Sequence, residues 1–323
     1  MAAGPVIGSL GELLVEFICT ERDGRNLRPA AYAGPFPSGA PGIFIDQAAR
    51  VGGAAIFAGA VGSDAFGQVL RDRLAASGVM ADLIRVVPGV PTGTAHVSYN
   101  SDGSRDFVFN MAHSAAGRLP ETDEAVAGFL RAGTRVLHIS GSSLGDPPMR
   151  ARAMAICAGA KAGGIALSID PNIRPEVMSE DGYLRDVRTL MGGADYVLPS
   201  DADAALLFPG QPFPDWSGWL MAAGAQVVAL KRGDRGALVR NANRIVDLPG
   251  HRVDVVDPTG AGDCFCATLV TLLAGGMDLT PAAERANAAG ALAVQRLGPM
   301  EGNSTLPEIE AFLWARNIIR AGG

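Results

Sequence analysis

The chain has 323 residues, 48% hydrophobic and 19% charged, with a formal net charge of −6. That length supports a large core, and the acidic balance leaves no basic surface for nucleic acid. No apolar run is long enough to span a membrane, and "MAAGPVIGSLGELLVEF" lacks the basic start of a signal peptide, so a cytoplasmic protein is expected. Lys161 and Lys231 are the only lysines among 27 basic residues, a bias attributed to genome composition. Cys19, Cys157, Cys264 and Cys266 are too few and scattered for a disulfide framework, and Cys264-x-Cys266 lacks the second pair that a zinc site needs.

In chain order, the first third carries short strand-like runs: "VIGSLGELLVEFI", "GTAHVSYN" and "SRDFVFNM". Between them "GIFIDQAARVGG" and "DAFGQVLRDRLAASGV" predict helices with glycine stops. From about residue 135 strands and helices alternate. "TRVLHIS", "IALSID", "ADYVLPS" and "AQVVALK" read as buried strands, with helices over "PPMRARAMAICAGAKAGG" and "DGYLRDVRTLMGG". Alternation of this kind predicts a parallel sheet covered on both faces. "GALVRNANRIVDL" predicts a hairpin turning at Asn-Ala-Asn. Helices follow at 261–275, 281–297 and 305–319. The early strands predict an extra β-layer on a single domain over residues 1–323.

The most informative stretch is "VDVVDPTGAGDCF", where an apolar run hands over to a helix through Thr-Gly-Ala-Gly-Asp. The first N–H groups of a helix lack backbone partners, and the helix dipole adds positive charge there. Gly260 and Gly262 let that backbone approach a ligand. Together these make a site for phosphate or a developing oxyanion. Asp263 in the first turn is placed to take a proton from an attacking hydroxyl. A packed helix start with a dipole-stabilising Asp explains the spacing equally well.

Competing motifs fail. Neither lysine stands in a Walker A loop, the kinase motifs around "HRVD" are missing, and no Gly-x-Gly-x-x-Gly follows the first strand. "GSSLG" matches a nucleophile elbow at Ser143, with Asp201 or Asp203 and His251 in hydrolase order. "DPP" follows at once and delays the helix that an elbow requires.

"DPTGAGDCF" closely resembles the signature of the ribokinase-like, PfkB-type carbohydrate kinases. "SGAPGIFIDQAARVGGAAIFAGAVGSDAFGQVL" resembles the family's N-terminal signature, and "PTGTAHVSYNSDGSRDFVF", "DPNIRPEVM", "VLPSDADA" and "ALKRGDRGA" resemble further blocks in order. The resemblance covers essentially the whole chain. It implies a three-layer α/β/α fold with a mostly parallel sheet and a small β-lid from strands within about 12–35 and 92–112. It implies Asp263 as catalytic base, with Gly260, Ala261 and Gly262 as the anion hole. Arg174, Ser200, Lys231, Gly233, Asn287 and Gly290 would bind ATP. Asp203 would help place hydrated Mg²⁺, and Asp257 and Thr259 would hold a monovalent cation such as K⁺. Glu16, Gly39, Ala40 and Arg105 would meet the sugar.

Three positions depart from the family pattern. Ile43 stands where an Asn is usual, Ser200 and Asp203 stand for the Asn and Glu of Asn-x-x-Glu, and Glu16 replaces an Asp. The expected activity is transfer of the ATP γ-phosphate to a primary hydroxyl of a ketohexose such as fructose or tagatose. A 2-keto-3-deoxygluconate-type sugar acid, with Arg105 meeting its carboxylate, is the alternative; ribose or a nucleoside follows. A non-catalytic sugar or nucleotide sensor and the Ser143 hydrolase are readings of a different class. Exposed lid strands predict pairing into a homodimer.

Overall fold

The computed structural model describes residues 4–24, 26–102, 104–174 and 182–321, the last five by backbone alone. The chain opens with β1 (Val6–Leu10), β2 (Leu14–Cys19), β3 (Tyr32–Ser38), α1 (Ala40–Arg50), β4 (Ala54–Gly62), α2 (Ala65–Ala76), β5 (Met80–Val87), β6 (Gly93–Tyr99) and β7 (Arg105–Asn110). Next come α3 (Thr122–Arg131), β8 (Val136–Ser140), α4 (Pro147–Ala162), β9 (Ala166–Asp170), α5 (Gly182–Gly193), β10 (Tyr196–Val197), α6 (Asp201–Leu207), α7 (Phe213–Ala222) and β11 (Val227–Lys231). The hairpin β12 (Ala237–Arg240) and β13 (Ile245–Leu248) then leads to α8 (Ala261–Ala274), α9 (Leu279–Ala293) and α10 (Leu306–Ala321).

Nine strands form the main sheet in the order β13-β12-β11-β10-β9-β8-β1-β4-β5. The pairs from β11 through β5 are parallel, and only the β11–β12 and β12–β13 pairs are antiparallel. Alternate side chains feed the two faces. Val228 and Leu230 pack with α4, α5 and α7 residues such as Ile156, Val187 and Leu220. Val227 and Ala229 pack on the other side with Phe44 of α1 and Phe265 of α8. Each fully buried aliphatic or aromatic side chain of this kind contributes about 1.5–3 kcal/mol. The ribokinase-like three-layer fold expected from the sequence is therefore the one that forms.

The first third contributes more to this sheet than its pattern suggested. β1, β4 and β5 all join it, whereas β2, β3, β6 and β7 build a separate sheet in the order β3-β2-β6-β7. The run "VIGSLGELLVEFI" is not one strand. It splits at Gly11, whose φ of +147° and N–H bond to Ala58 O turn the chain out of the main sheet. A Cβ at Gly11 would come 2.6 Å from the Pro41 ring. A buried apolar run carries no mark of which sheet each half joins. The "ADYVLPS" strand is also shorter than expected, reduced to Tyr196–Val197. The chain leaves β10 for the start of α6, where Ser200 and Asp203 close a capping box.

Candidate active site

The site lies where the small sheet faces the C-terminal ends of β1, β8 and β9 and the start of α8. Three turns build it. At the first, Gly260 takes φ +84°, and a Cβ there would lie 2.4 Å from Pro299 O, so only glycine fits. No side chain caps the N-terminus of α8, in contrast to α2, α4 and α6, capped by Asp64, Asp146 and Ser200. Its first N–H groups therefore remain available to a ligand. Gly39, at φ +105°, plays the matching part at the start of α1, because a Cβ there would meet Glu12 O at 2.5 Å.

The third turn is "DPNIR". Asn172 adopts φ +35°, a conformation that its short amide tolerates. Its N–H donates to Asp170 Oδ1 at 3.1 Å and its Nδ2 to Ser140 Oγ at 3.1 Å. Asp203 holds the next residue: Oδ1 accepts from Ile173 N at 2.8 Å, and Oδ2 accepts from Ser200 N at 2.8 Å and Ser200 Oγ at 2.6 Å. These bonds aim Arg174 into the pocket, and no described carboxylate forms an ion pair with it.

One pocket gathers Glu12, Glu16, Gly39, Ala40, Arg174, Thr259, Gly260 and Asp263, with Leu14, Ile43, Phe107, Phe109 and Met111 as apolar walls. Roomier clefts exist: one between Phe66, Phe109 and His113 at the edge of the small sheet collects none of the predicted site residues, and one beside Pro249 and Arg285 collects Asn287. The Asp263 carboxyl is buried and accepts no hydrogen bond from a described residue. Its pKa is pushed up to about 7, first by burial and then by the Asp170 carboxylate, against the opposing charges of Lys231 and Arg174. Glu16 is also raised to about 7, by burial and then by Asp257. Its Oε2 accepts from Ser38 Oγ at 3.2 Å, while Oε1 is buried without a partner. Glu12 accepts from Ser142 Oγ at 2.7 Å and from Ser143 Oγ, and burial raises its pKa.

Other predicted residues lie outside the lining of this pocket. Lys231 is largely enclosed and pairs with Asp170, with its Nζ behind Gly262, where a Cβ would approach it to 3.4 Å. Arg105 lies at the rim, with Nη1 3.4 Å from Thr259 Oγ1 and the guanidinium over the Phe107 ring. Asp257 is fully buried; Oδ1 accepts from Thr259 N at 2.9 Å and from the Tyr99 hydroxyl, and Oδ2 accepts from Gly298 N at 2.9 Å. Gly233 lies in an exposed turn after β11, and Asn287 Nδ2 donates to Pro249 O at 2.9 Å. Gly290 lets α9 pack on the start of α8, since a Cβ would meet Ala261 O at 3.2 Å. Ser143 hydrogen-bonds Glu12 rather than a histidine, and the His251 ring packs edge-on against Phe312, so the hydrolase pairing does not form.

Sequence reasoning missed Glu12, Ser142, Asn172 and Tyr99. The signal for Glu12 was present: a carboxylate follows Gly11 directly at the end of a buried strand, where charge is costly without a purpose.

A glycine-built anion turn followed by a buried, unpaired carboxylate, under a small sheet on a ribokinase-like core, defines a phosphotransferase that acts on a sugar hydroxyl. The comparisons agree. The pfkB family carbohydrate kinase profile matches residues 9–306. Fructokinase-2 of Zea mays is 30% identical over 325 residues, covering 97% of this chain and 94% of that protein. A protein of E. coli provisionally called ribokinase II, solved with ATP and Mg²⁺, is 36% identical with a TM-score of 0.89, covering 96% of this chain and 99% of that one. Fructokinase of Vibrio cholerae O395, solved with fructose, ADP and calcium, is 28% identical with a TM-score of 0.82 over the same shares. The chain belongs to the pfkB family of carbohydrate kinases.

Proposed function

We propose that the chain is an ATP-dependent ketohexose kinase with fructose as its leading substrate. The observation that carries the reading is the buried, unpaired Asp263 carboxyl in the first turn of an uncapped helix. A primary hydroxyl of the sugar donates its proton to Asp263 as its oxygen attacks the γ-phosphorus. The bond from that phosphorus to the β–γ bridging oxygen breaks, and ADP leaves. The N–H groups of Gly260, Ala261 and Gly262, with Arg174, stabilise the charge on the transferred group. A base titrating near 7 is suited to this at neutral pH.

Mg²⁺ comes with the ATP phosphates as part of the substrate, since Asp203 already satisfies three protein donors and among the described residues no carboxylate, histidine or thiol cluster forms a metal cage. Asp257 likewise has three protein donors, so no step is assigned to a monovalent cation.

The charge of the pocket favours a neutral sugar over a sugar acid. Glu12 and Glu16 line it, Arg174 is its one lining cation among the described residues, and Arg105 is directed to Thr259. A substrate carboxylate would face two carboxyl groups. The unpartnered Glu16 Oε1 suits a sugar hydroxyl instead. The fructokinase relatives support the same choice.

The four cysteines are all buried and free, which suits a cytoplasmic setting. No helix among the described residues is long and apolar enough to cross a membrane. β3 and β7, the free edges of the small sheet, support pairing into a homodimer, which sedimentation would test.

Coupled ADP-release assays on fructose, tagatose, ribose and 2-keto-3-deoxygluconate test the substrate. Fructose or tagatose is expected to give the highest kcat/KM, and a sugar acid turning over faster would overturn the assignment. Asp263→Asn is expected to lower kcat by about two to four decades while ATP still binds.

A further inference from the structure

Lys231, expected from family resemblance to border the nucleotide, is drawn largely inside the protein. Its side chain is 13% exposed and its ammonium pairs with Asp170, itself 2% exposed. Lys231 Nζ also lies 3.5 Å from Cys266 Sγ, one helical turn into α8. With Nζ directly behind Gly262, the ammonium backs the turn whose front face would meet the phosphoryl group.

We propose that the Lys231–Asp170 pair is a positioning device for phosphoryl transfer. Lys231 presents a fixed positive charge to the anion turn from behind, and Asp170 holds that ammonium in place while setting the ionisation of Asp263. Lys231 acts through the turn and the base and does not touch ATP. This rests on the reading of Asp263 as the base.

The two opposite charges of the pair act in opposite directions on one carboxyl. Burial works against the Lys231 charge, but Asp170 outweighs it and raises the lysine pKa, so the ammonium stays charged. Asp170 then raises the Asp263 pKa and Lys231 lowers it. The other groups facing Asp263 are Arg174 from the loop after β9, Glu12 from the β1–β2 turn, and the thiols of Cys264 and Cys266. Burial keeps both thiols protonated, and it keeps His138 on β8, which also feels Lys231, neutral. These groups are common to every variant below, so the two members of the pair can be separated.

The test is the pH profile of kcat/KM for Lys231→Met, Asp170→Asn and the double variant, with the Asp263 carboxyl followed by ¹³C NMR where turnover is too low. Lys231→Met should move the acidic limb up by about one pH unit, and Asp170→Asn should move it down by a similar amount. The double variant leaves neither charge unpaired and so keeps the question open to test if a single variant does not fold. Its limb should return near that of the wild type, while its plateau kcat stays at least tenfold low because the ammonium behind the turn is gone. Single variants that shift the limb the same way, a double variant with wild-type plateau kcat, or a Lys231→Met effect confined to KM for ATP would each overturn the proposal. Asp263→Asn separates this from the parent reading: turnover within threefold of wild type removes the base itself, whatever the pair does.

Discussion

The Tyr99 hydroxyl on β6 donates to the fully buried Asp257 and lies 3.1 Å from Thr259 Oγ1. Across the β6–β7 register, Tyr99 faces Arg105, which reaches the same threonine. The small sheet is thus fastened to the loop that leads into the anion turn. Burial, then the Asp257 carboxylate, raises the Tyr99 pKa, so the hydroxyl remains a donor throughout the working pH range. Tyr99→Phe removes that donor and leaves a buried carboxylate with less compensation, at a cost of about 1–3 kcal/mol. Thermal unfolding should show the loss, and steady-state kinetics should show a sugar KM raised several-fold with ATP KM little changed. An unchanged sugar KM would mean that the contact does not set the position of the sheet.

Asp263 links activity to stability with a definite sign. Its carboxyl titrates near 7 in the folded protein, against an ordinary value of 3.8. The folded state therefore holds this proton more tightly than the unfolded chain does. The site favours folding at low pH, and that contribution is lost as pH rises from about 4 to 7. Asparagine never has to ionise there. Asp263→Asn should be more stable than wild type at pH 8, by up to about 4 kcal/mol, with the gap closing as pH falls toward 4. Melting curves of the apo proteins across that range check it. A constant gap would place the cost elsewhere.

The parallel core and the anion turn were legible because each leaves a local mark. "IALSID" and "AQVVALK" are apolar runs bounded by helix stops, and Thr-Gly-Ala-Gly-Asp sits at a strand-to-helix handover. The pocket was only partly legible, because several of its bonds join residues far apart in sequence. Glu12 meets Ser142 and Ser143 at a separation of about 130 residues, and Tyr99 meets Asp257 at 158. Lys231 shows the same limit. Its spacing within "KRGDRG" resembles a nucleotide contact, and its pairing with Asp170, 61 residues earlier, leaves no local mark. The split of "VIGSLGELLVEFI" at Gly11 is decided by contacts with Ala58 and Pro41 that no window along the chain contains.

Glu16 tests the sugar end of the pocket. Its Oε1 is buried without a donor, and its pKa near 7 reflects burial and then the nearby Asp257 charge. A sugar hydroxyl that donates to Oε1 would supply the missing partner. Glu16→Ala should raise the ketohexose KM by about tenfold or more, as expected when a charged hydrogen bond of about 1.5–3 kcal/mol is lost. The kcat at saturating sugar should fall far less than in Asp263→Asn, because Glu16 is not placed at the transferred group. A kcat loss as large as that of Asp263→Asn, with KM unchanged, would contradict a binding role.

A final prediction concerns the support beneath α1. Asp46 is fully buried; it accepts from Arg50 Nε at 2.8 Å, Arg73 Nε at 3.1 Å and Asn303 Nδ2 at 2.7 Å, and from the Ser77 hydroxyl. Asn303 Nδ2 also lies 3.2 Å from Ile43 O, so the cluster joins α1, α2 and the segment before α10 just behind a pocket wall. Removing the carboxylate would leave Arg50 without its anion and Arg73 with only the more exposed Glu301, 3.6 Å away. Breaking a buried pair from one side costs about 3–5 kcal/mol. Asp46→Ala should therefore lose much of the protein's stability in denaturant titrations, or fail to fold. Asp46→Asn keeps part of the hydrogen bonding but not the charge, and should fall between the two. If both variants melt like wild type, the cluster is a surface network that water replaces. A kcat per folded molecule close to wild type in Asp46→Asn would show that this network supports the pocket wall without tuning the chemistry at Asp263.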